Sequence, residues 1–247
     1  PAFTGRHGDD TMRIAIASGK GGTGKTTIAT NLAAVAAAAG KKATYVDCDV
    51  EEPNGHIFLK PRFERSEPVT MLMPHVNETV CTACGECGRI CQFKAITLIL
   101  DRVLTFHELC HACGGCALAC PVRAIEERPR EVGMLEIGEA SRNGGSVVGF
   151  LHGTLNVKEA MAPPVIRAVK REIPADGFVV IDAPPGASCS MVEALRGADR
   201  VVLVTEPTPF GLNDLAIAVD TARTMGFEPG VVVNRDGAGD DRVDRWC

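Results

Sequence analysis

Residues 13–26 read RIAIASGKGGTGKT, and this stretch decides the fold. Arg13–Ala17 is a short apolar run suited to a buried strand. The loop Gly19-Lys20-Gly21-Gly22-Thr23-Gly24-Lys25-Thr26 satisfies G-x-x-x-x-G-K-[ST]. Glycines at that spacing let backbone N–H groups converge on phosphate oxygens; Lys25 supplies a point charge at the β- and γ-phosphates, and the Thr26 hydroxyl suits Mg²⁺. An Ala-rich helix from about Lys25 to Ala39 follows, with Gly40 as its stop. Its positive N-terminal dipole adds to the anion site, so residues 19–27, Thr27 included, are expected to cradle the phosphates of a nucleotide.

Outward from this loop the chain alternates strands and helices. Ala43–Val46 is a second strand that delivers Asp47 and Asp49 at its C-terminal end, and Val69–Met73 is another. The pattern resumes with strands near Phe178–Ile181, Val201–Thr205 and Gly230–Val233, separated by helices near Pro163–Glu172, Met191–Arg196 and Leu212–Met225. Such alternation predicts an α/β fold with a doubly wound, mainly parallel sheet and ligands at the carboxyl ends of its strands.

Composition narrows the setting. The 247 residues are 45% hydrophobic, enough for a sizeable core, but only 4% aromatic, so that core is built mainly from Ala, Val, Ile and Leu. A net charge of −5 argues against a general binder of nucleic acid or anionic membrane. No run approaches the ~18 apolar residues of a membrane span. Arg6, His7, Asp9 and Asp10 stand where a signal-peptide core would be, and residues 1–11 read as an upstream extension.

Eleven cysteines are the unusual feature, and eight of them lie between Cys81 and Cys120. Local crowding beside a nucleotide-binding pattern points to metal in a reducing cytoplasm rather than to a disulfide framework. The segment is a repeat: CTACGECGRICQFKAI from Cys81 and CHACGGCALACPVRAI from Cys110, at a constant offset of 29. Each copy carries C-x₂-C-x₂-C-x₃-C, in which three cysteines wrap one [4Fe–4S] cubane and the fourth is carried to the other cluster. Cluster one would use Cys81, Cys84, Cys87 and Cys120; cluster two would use Cys110, Cys113, Cys116 and Cys91. Zinc is the competing ligand, but it needs only two Cys-x₂-Cys pairs per site and leaves the doubled run without a purpose. The expected division is a host domain over 12–73 and 130–247, interrupted by an insert over 74–129. The host stops soon after the Asn234 strand, so a final strand and helix are expected to be missing.

These motifs together resemble the MinD/ParA/nitrogenase-iron-protein class of ATPases, in the branch that carries an inserted bacterial ferredoxin domain. The resemblance runs from about Met12 onward and rests on KGGTGKT, on Val46-Asp47-Cys48-Asp49 with Pro53-Asn54, on Phe178–Gly186, on Val231–Arg235 and on Asn156–Pro164. It implies that Lys20 crosses a dimer interface to the partner's nucleotide, a role like that of an arginine finger, worth ~10³–10⁵ in rate at best. It implies catalytic roles for Lys20, Lys25, Asp49 (orienting the attacking water) and Asp182; Mg²⁺ beside Thr26, Asp47 and Asp182; and adenine read by Asn234. Asp214 falls where the class can place a carboxylate near the crossing lysine. Cys189, seven residues after Asp182, sits at the offset of a cluster-ligating cysteine in the nitrogenase iron protein and is a possible redox or switch residue.

The implied cofactors are ATP, Mg²⁺ and two [4Fe–4S] clusters. The implied partners are a second copy or a related ATPase in the ATP state, and a redox or cluster-accepting protein, with no nucleic acid and no stable membrane anchor. The first expectation is an ATPase coupled to electron transfer. The alternatives are a carrier or scaffold for metal clusters, and a positioning ATPase whose cluster is a sensor.

Overall fold

The computed structural model of the chain describes residues 11–142 and 145–247; the expected extension lies outside them except for Thr11. In chain order the strands are β1 (Thr11–Ala17), β2 (Ala43–Asp47), β3 (Arg62–Val76), β4 (Ile96–Ile99), β5 (Arg102–Thr105), β6 (Ile125–Arg142), β7 (Ser146–Leu155), β8 (Gly177–Asp182), β9 (Arg200–Thr205) and β10 (Gly230–Val233). The helices are α1 (Lys25–Ala38), α2 (Gly55–Leu59), α3 (Glu86–Ile90), α4 (Gly115–Ala119), α5 (Pro163–Arg171), α6 (Cys189–Leu195), α7 (Pro209–Thr224) and α8 (Arg242–Trp246).

One sheet organises the molecule, in the order β10-β9-β1-β8-β2-β7-β6-β3. Every pair from β10 to β7 is parallel, while β7–β6 and β6–β3 are antiparallel. The fold is therefore α/β with a mostly parallel sheet, and the antiparallel edge is an addition to the sequence-based expectation. Alternation along the central strands splits the core in two. Ala15, Ala17, Val46, Val179, Ile181 and Leu203 face one cluster, which takes in Val165 of α5, Met191 of α6 and Leu215 of α7. Ile16, Tyr45 and Val180 face the other, which is closed by Ala29, Ala33, Ala36 and Ala37 of α1. Alanine on that face lets α1 lie close to the strands, which fits a core short of aromatics.

The antiparallel edge is long. Registers run from Arg62↔Glu139 to Val76↔Ile125 between β3 and β6, with irregularities between Phe63 and Arg65 and between Val69 and Thr70. Pro68 and Pro74 are tolerated because β3 is an edge strand and a missing N–H there breaks no ladder bond. β7 pairs with β6 only over Gly133–Arg142. The remaining parts of β3 and β6 project as a two-stranded ribbon, and residues 77–124 hang from its end. There α3, the β4–β5 hairpin and α4 surround a small core of Cys87, Ile96 and Ile125. Among the described residues, no helix is long and apolar enough to cross a membrane.

Candidate functional site

The phosphate loop joins β1 to α1 at the carboxyl edge of the sheet. Gly22 and Gly24 hold φ of 79° and 91°, a region that side-chained residues rarely occupy. At Gly24 a Cβ would also lie 2.3 Å from Asn234 Nδ2. That amide donates to Thr23 O at 2.8 Å, so the β10 end braces the loop from behind. Ser18 Oγ donates to Lys20 O at 2.8 Å, and Gly186 N donates to Ser18 O at 2.9 Å, which ties the segment after β8 to the loop. Thr23 is buried, and its hydroxyl has no hydrogen-bond partner among the described residues.

Two strand ends bring three carboxylates to Lys25. Its ammonium, buried at the start of α1, lies 2.7 Å from Asp182 Oδ1 and 3.8 Å from Asp49 Oδ2. The Tyr45 hydroxyl donates to Asp182 Oδ2 at 2.8 Å. Asp47 is fully buried and accepts from Asp49 N at 3.1 Å and Gly55 N at 3.0 Å. Burial, reinforced by the charge of Asp182, pushes Asp47 up to about 7 against the Gly55 hydrogen bond and Lys25. Burial likewise lifts Asp49 to about 6, against the pull of Lys25. Three carboxylates thus share one ammonium, and the crevice is short of positive charge. A divalent cation answers that deficit. Mg²⁺ characteristically takes one or two carboxylates and fills its other positions with water and phosphate oxygens. The donor set fits this, with the carboxylates of Asp47 and Asp182 side by side at the ends of adjacent strands.

Lys20 does not meet Asp214. Its ammonium pairs with Glu206 Oε2 at 3.0 Å, and Arg235 Nη1 lies 2.5 Å from Glu206 Oε1. Asp214 approaches the loop through its backbone instead, its carbonyl oxygen 2.1 Å from where a Gly19 Cβ would stand. Gly19 is thereby fixed as glycine by the first turns of α7. Cys189 opens α6 and is exposed.

The eight crowded cysteines divide between two cavities. Cys81, Cys84, Cys87 and Cys120 line one; Cys91, Cys110, Cys113 and Cys116 line the other. The fourth cysteine of each repeat stands with the other repeat's first three. The backbone keeps the same offset as the sequence: Ala83 and Ala112 have φ of 53° and 50°, Gly85 and Gly114 have 77° and 72°, and Lys94 and Arg123 have 55° and 53°. Left-handed alanines cost ~1–2 kcal/mol each, and paired strain of this kind persists where the loop's shape serves a ligand. Ala112 N donates to Cys110 Sγ at 3.4 Å and Ala124 N to Cys120 Sγ at 3.2 Å, as amides around thiolate ligands do. Burial resists ionisation of Cys91, yet N–H groups of Ile96, Ala95, Phe93 and Lys94 outweigh it and lower its pKa.

Four thiols line each cavity, one for each iron of a cubane, so the donor set fits an iron–sulfur cluster.

Tyr45 and Glu206 are the site residues that motif reading missed. Tyr45 had a signal: it lies two residues before Asp47 on one strand and so shares its face. Glu206 had none, because its partners come from the phosphate loop and from the residues after β10.

Comparison with known proteins follows the geometry. The family described as the CobQ/CobB/MinD/ParA nucleotide binding domain matches residues 14–240. An uncharacterized protein of Methanocaldococcus jannaschii is 33% identical over 234 residues, covering 92% of this chain and 79% of that one. The septum site-determining protein MinD of Thermotoga maritima is 25% identical over 226 residues, 90% of this chain and 63% of its own. Among solved structures, MinD of Pyrococcus horikoshii complexed with Mg-ADP superposes with a TM-score of 0.52 at 20% identity, covering 93% of this chain and 72% of that one. At that identity the likeness concerns the fold.

Proposed function

The chain belongs to the CobQ/CobB/MinD/ParA nucleotide-binding family, and from that premise we propose an Mg²⁺-dependent ATPase that dimerises around ATP and couples its nucleotide state to electron transfer through two [4Fe–4S] clusters. The observation that carries the reading is the gathering of Asp47, Asp49 and Asp182 around Lys25 at the mouth of the phosphate loop.

Backbone N–H groups of residues 19–27 hold the phosphates, and Asn234 contributes beside them on the adenine side. Lys25 turns from Asp182 to the β- and γ-phosphates. Asp182 and Asp47, with the Thr26 hydroxyl, then face Mg²⁺. Asp49 orients the attacking water, and Lys20 leaves Glu206 to reach the nucleotide of the second protomer. The cluster domain occupies 74–129 and the ATPase domain 12–73 with 130–247; the projecting β3–β6 ribbon supports that division. Cys81, Cys84, Cys87 and Cys120 would hold one cluster, and Cys110, Cys113, Cys116 and Cys91 the other. When bound, such clusters supply one-electron transfer. Cys84 and Cys113 are exposed, which favours exchange with a partner protein over an internal acceptor.

The test is ATP turnover in anaerobically reconstituted protein, with the clusters oxidised and then reduced, beside Lys20→Ala. Turnover that changes with redox state, and that falls with nucleotide-dependent dimerisation in Lys20→Ala, supports the reading. Equal turnover in both states overturns the coupling. Unchanged dimerisation in Lys20→Ala overturns the crossing lysine.

A further inference from the structure

α2 is five residues long, too short to stand by itself, and its N-cap Asn54 makes no side-chain hydrogen bond. Ile57 and Phe58 are exposed. Yet the first residue of this helix bears on both carboxylates assigned to Mg²⁺. Gly55 N donates to Asp47 Oδ2 at 3.0 Å. A Cβ at Gly55 would lie 2.3 Å from the Tyr45 hydroxyl, which donates to Asp182. The placement of this turn thus decides how the Asp47 carboxylate is held.

The turn is met by a second histidine. His56 of α2 packs edge-on against His152 of β7, with ring centroids 5.7 Å apart and planes at 85°. His152 is buried, and its Nε2 lies 2.9 Å from Glu136 Oε2 of β6. Burial lowers the pKa of His152 against the pull of Glu136. The ring is therefore neutral near pH 7, and its one proton sits on Nε2, facing the carboxylate. Asp47, His152 and Glu136 are paired in register on β2, β7 and β6, so they stand in one row across the sheet. Phe63 and Phe150 flank His152 at centroid distances of 5.2 and 5.7 Å.

This corner is a costly place for polar atoms. Among the described residues, His152 Nδ1, His56 Nδ1 and Asn54 Oδ1 are all buried without a hydrogen-bond partner. Each lowers stability where an apolar side chain would not. With Phe63 and Phe150 as neighbours, position 152 would readily accept phenylalanine. What histidine offers instead is the bond to Glu136, which fixes the plane of the ring and hence the surface that His56 meets.

We infer that His152 is a positioning residue for the Mg²⁺ site: held by Glu136, it seats His56 and the first turn of α2, and through Gly55 N it fixes the carboxylate of Asp47. The inference rests on the reading that Asp47 faces Mg²⁺. Every link is a contact already made in the ligand-free chain, and no element has to move. Loss of a group that orients a metal ligand typically costs ~10–100-fold in metal affinity.

The experiment titrates Mg²⁺ into the ADP complex of the full chain by calorimetry and measures ADP affinity separately in EDTA. His152→Phe is expected to weaken Mg²⁺ by ~10-fold, to leave ADP affinity in EDTA unchanged and not to lower Tm. His56→Leu should weaken Mg²⁺ equally, and the double variant no further, since both act through one contact. Glu136→Gln, whose amide oxygen still accepts from Nε2, should retain most of the affinity, whereas Glu136→Ala should lose as much as His152→Phe. A merely structural histidine predicts a lower Tm with Mg²⁺ affinity intact in His152→Phe, which overturns the inference. Additive losses in the double variant, or a matching loss of ADP affinity in EDTA, overturn it as well. If Asp47→Asn binds Mg²⁺ as the wild type does, the reading of the metal face has failed by itself, and amide exchange in the ligand-free protein decides the positioning. The Gly55 amide should then exchange ~10-fold faster in His152→Phe. A rate equal to that of the wild type overturns the inference. So does a rise shared by the Asp49 amide, which donates to the other Asp47 oxygen.

Discussion

The crevice around Lys25 and the pair of cysteine cavities both gather polar ligands, but they do so by opposite means. Asp47 and Asp182 stand at the ends of adjacent parallel strands, paired in register, and Asp49 follows two residues beyond the first. Hydrogen bonds of the central sheet hold them whether or not a ligand is bound. The cysteines come from two short loops beyond the sheet, around a core of three buried side chains. A sheet supplies a preformed site; a small loop module draws much of its order from the metal it binds. The two regions should therefore fail differently when damaged.

The severest test of that difference removes the cation of the crevice. Lys25→Ala leaves Asp182 and Asp49 without their partner and the phosphates without theirs, so ATP hydrolysis should fall at least ~10²-fold. Iron uptake and visible absorbance of the cysteine module should be unaffected, because the sheet and the ribbon remain. A parallel loss of iron would show that the two regions are one cooperative site.

Acid separates them next. Asp47, at about 7, must be ionised to face Mg²⁺, and Asp49, at about 6, adds to the negative charge that the cation answers once it too has lost its proton. Mg²⁺ affinity should therefore weaken as pH falls from 7.5 to 5.5, by up to about tenfold per unit for each carboxylate that must lose a proton. Asp47→Asn should remove the upper step. For the ligand-free protein the sign reverses. Between the ordinary 3.8 and about 7 the folded Asp47 holds a proton that the unfolded chain has released. Stability should accordingly decline as pH rises through that window and level off above it. Burial raises Cys116 to about 11, so this thiol stays protonated throughout and adds no slope. Mg²⁺ titration in the presence of nucleotide checks the first sign; calorimetric Tm against pH, without metal, checks the second.

Much of this contrast was already legible in the amino-acid order, for a physical reason. A phosphate loop, a carboxylate at a strand end and a C-x₂-C-x₂-C-x₃-C run each state their geometry within a few residues. The crossing of Cys91 and Cys120 between cavities follows from the same spacing. The long β6 and β7 strands did not announce themselves, because Gly133, Gly138, Gly149 and Gly153 interrupt their apolar alternation. Those glycines answer to neighbours distant in sequence: Arg62 O would lie 2.1 Å from a Cβ at Gly138, and Val165 crowds Gly133 and Gly153. The pairing of Lys20 with Glu206 was hidden likewise, since it requires β9 and the phosphate loop to be neighbours. Motifs written locally are readable; contacts made by the sheet are not.

Cysteine pairs sharpen the module's side of the comparison. Single Cys81→Ser and Cys120→Ser variants should each lower reconstituted iron to about half, with ATP binding retained. If the cavities are divided as described, the double variant Cys81→Ser/Cys120→Ser should lose no more iron than either single change. Cys120→Ser/Cys110→Ser should lose nearly all of it. Iron analysis with anaerobic spectroscopy reads the result, and the reverse ranking would mean that each repeat keeps its own fourth cysteine.

The smallest effect concerns how each region reaches left-handed backbone. In the crevice the positions at φ of 79° and 91° are Gly22 and Gly24; in the module Ala83 and Ala112 hold 53° and 50°. Gly24→Ala would be doubly penalised, by its φ and by Asn234 Nδ2 at 2.3 Å from the new Cβ, and should cost more than ~1 kcal/mol. Ala83→Gly relieves ~1–2 kcal/mol of left-handed strain but returns ~0.4–1 kcal/mol of entropy to the unfolded chain. The net gain should be a few tenths of a kcal/mol up to about 1, visible as a slight rise in the module's midpoint in ligand-free protein. With iron bound, the ligand's contribution far exceeds that increment, so the same substitution should leave the midpoint nearly unchanged. A destabilising Ala83→Gly would mean that its methyl group packs against something the strain argument omits, and that the alanines at 83 and 112 are there for contact rather than tolerated at a cost.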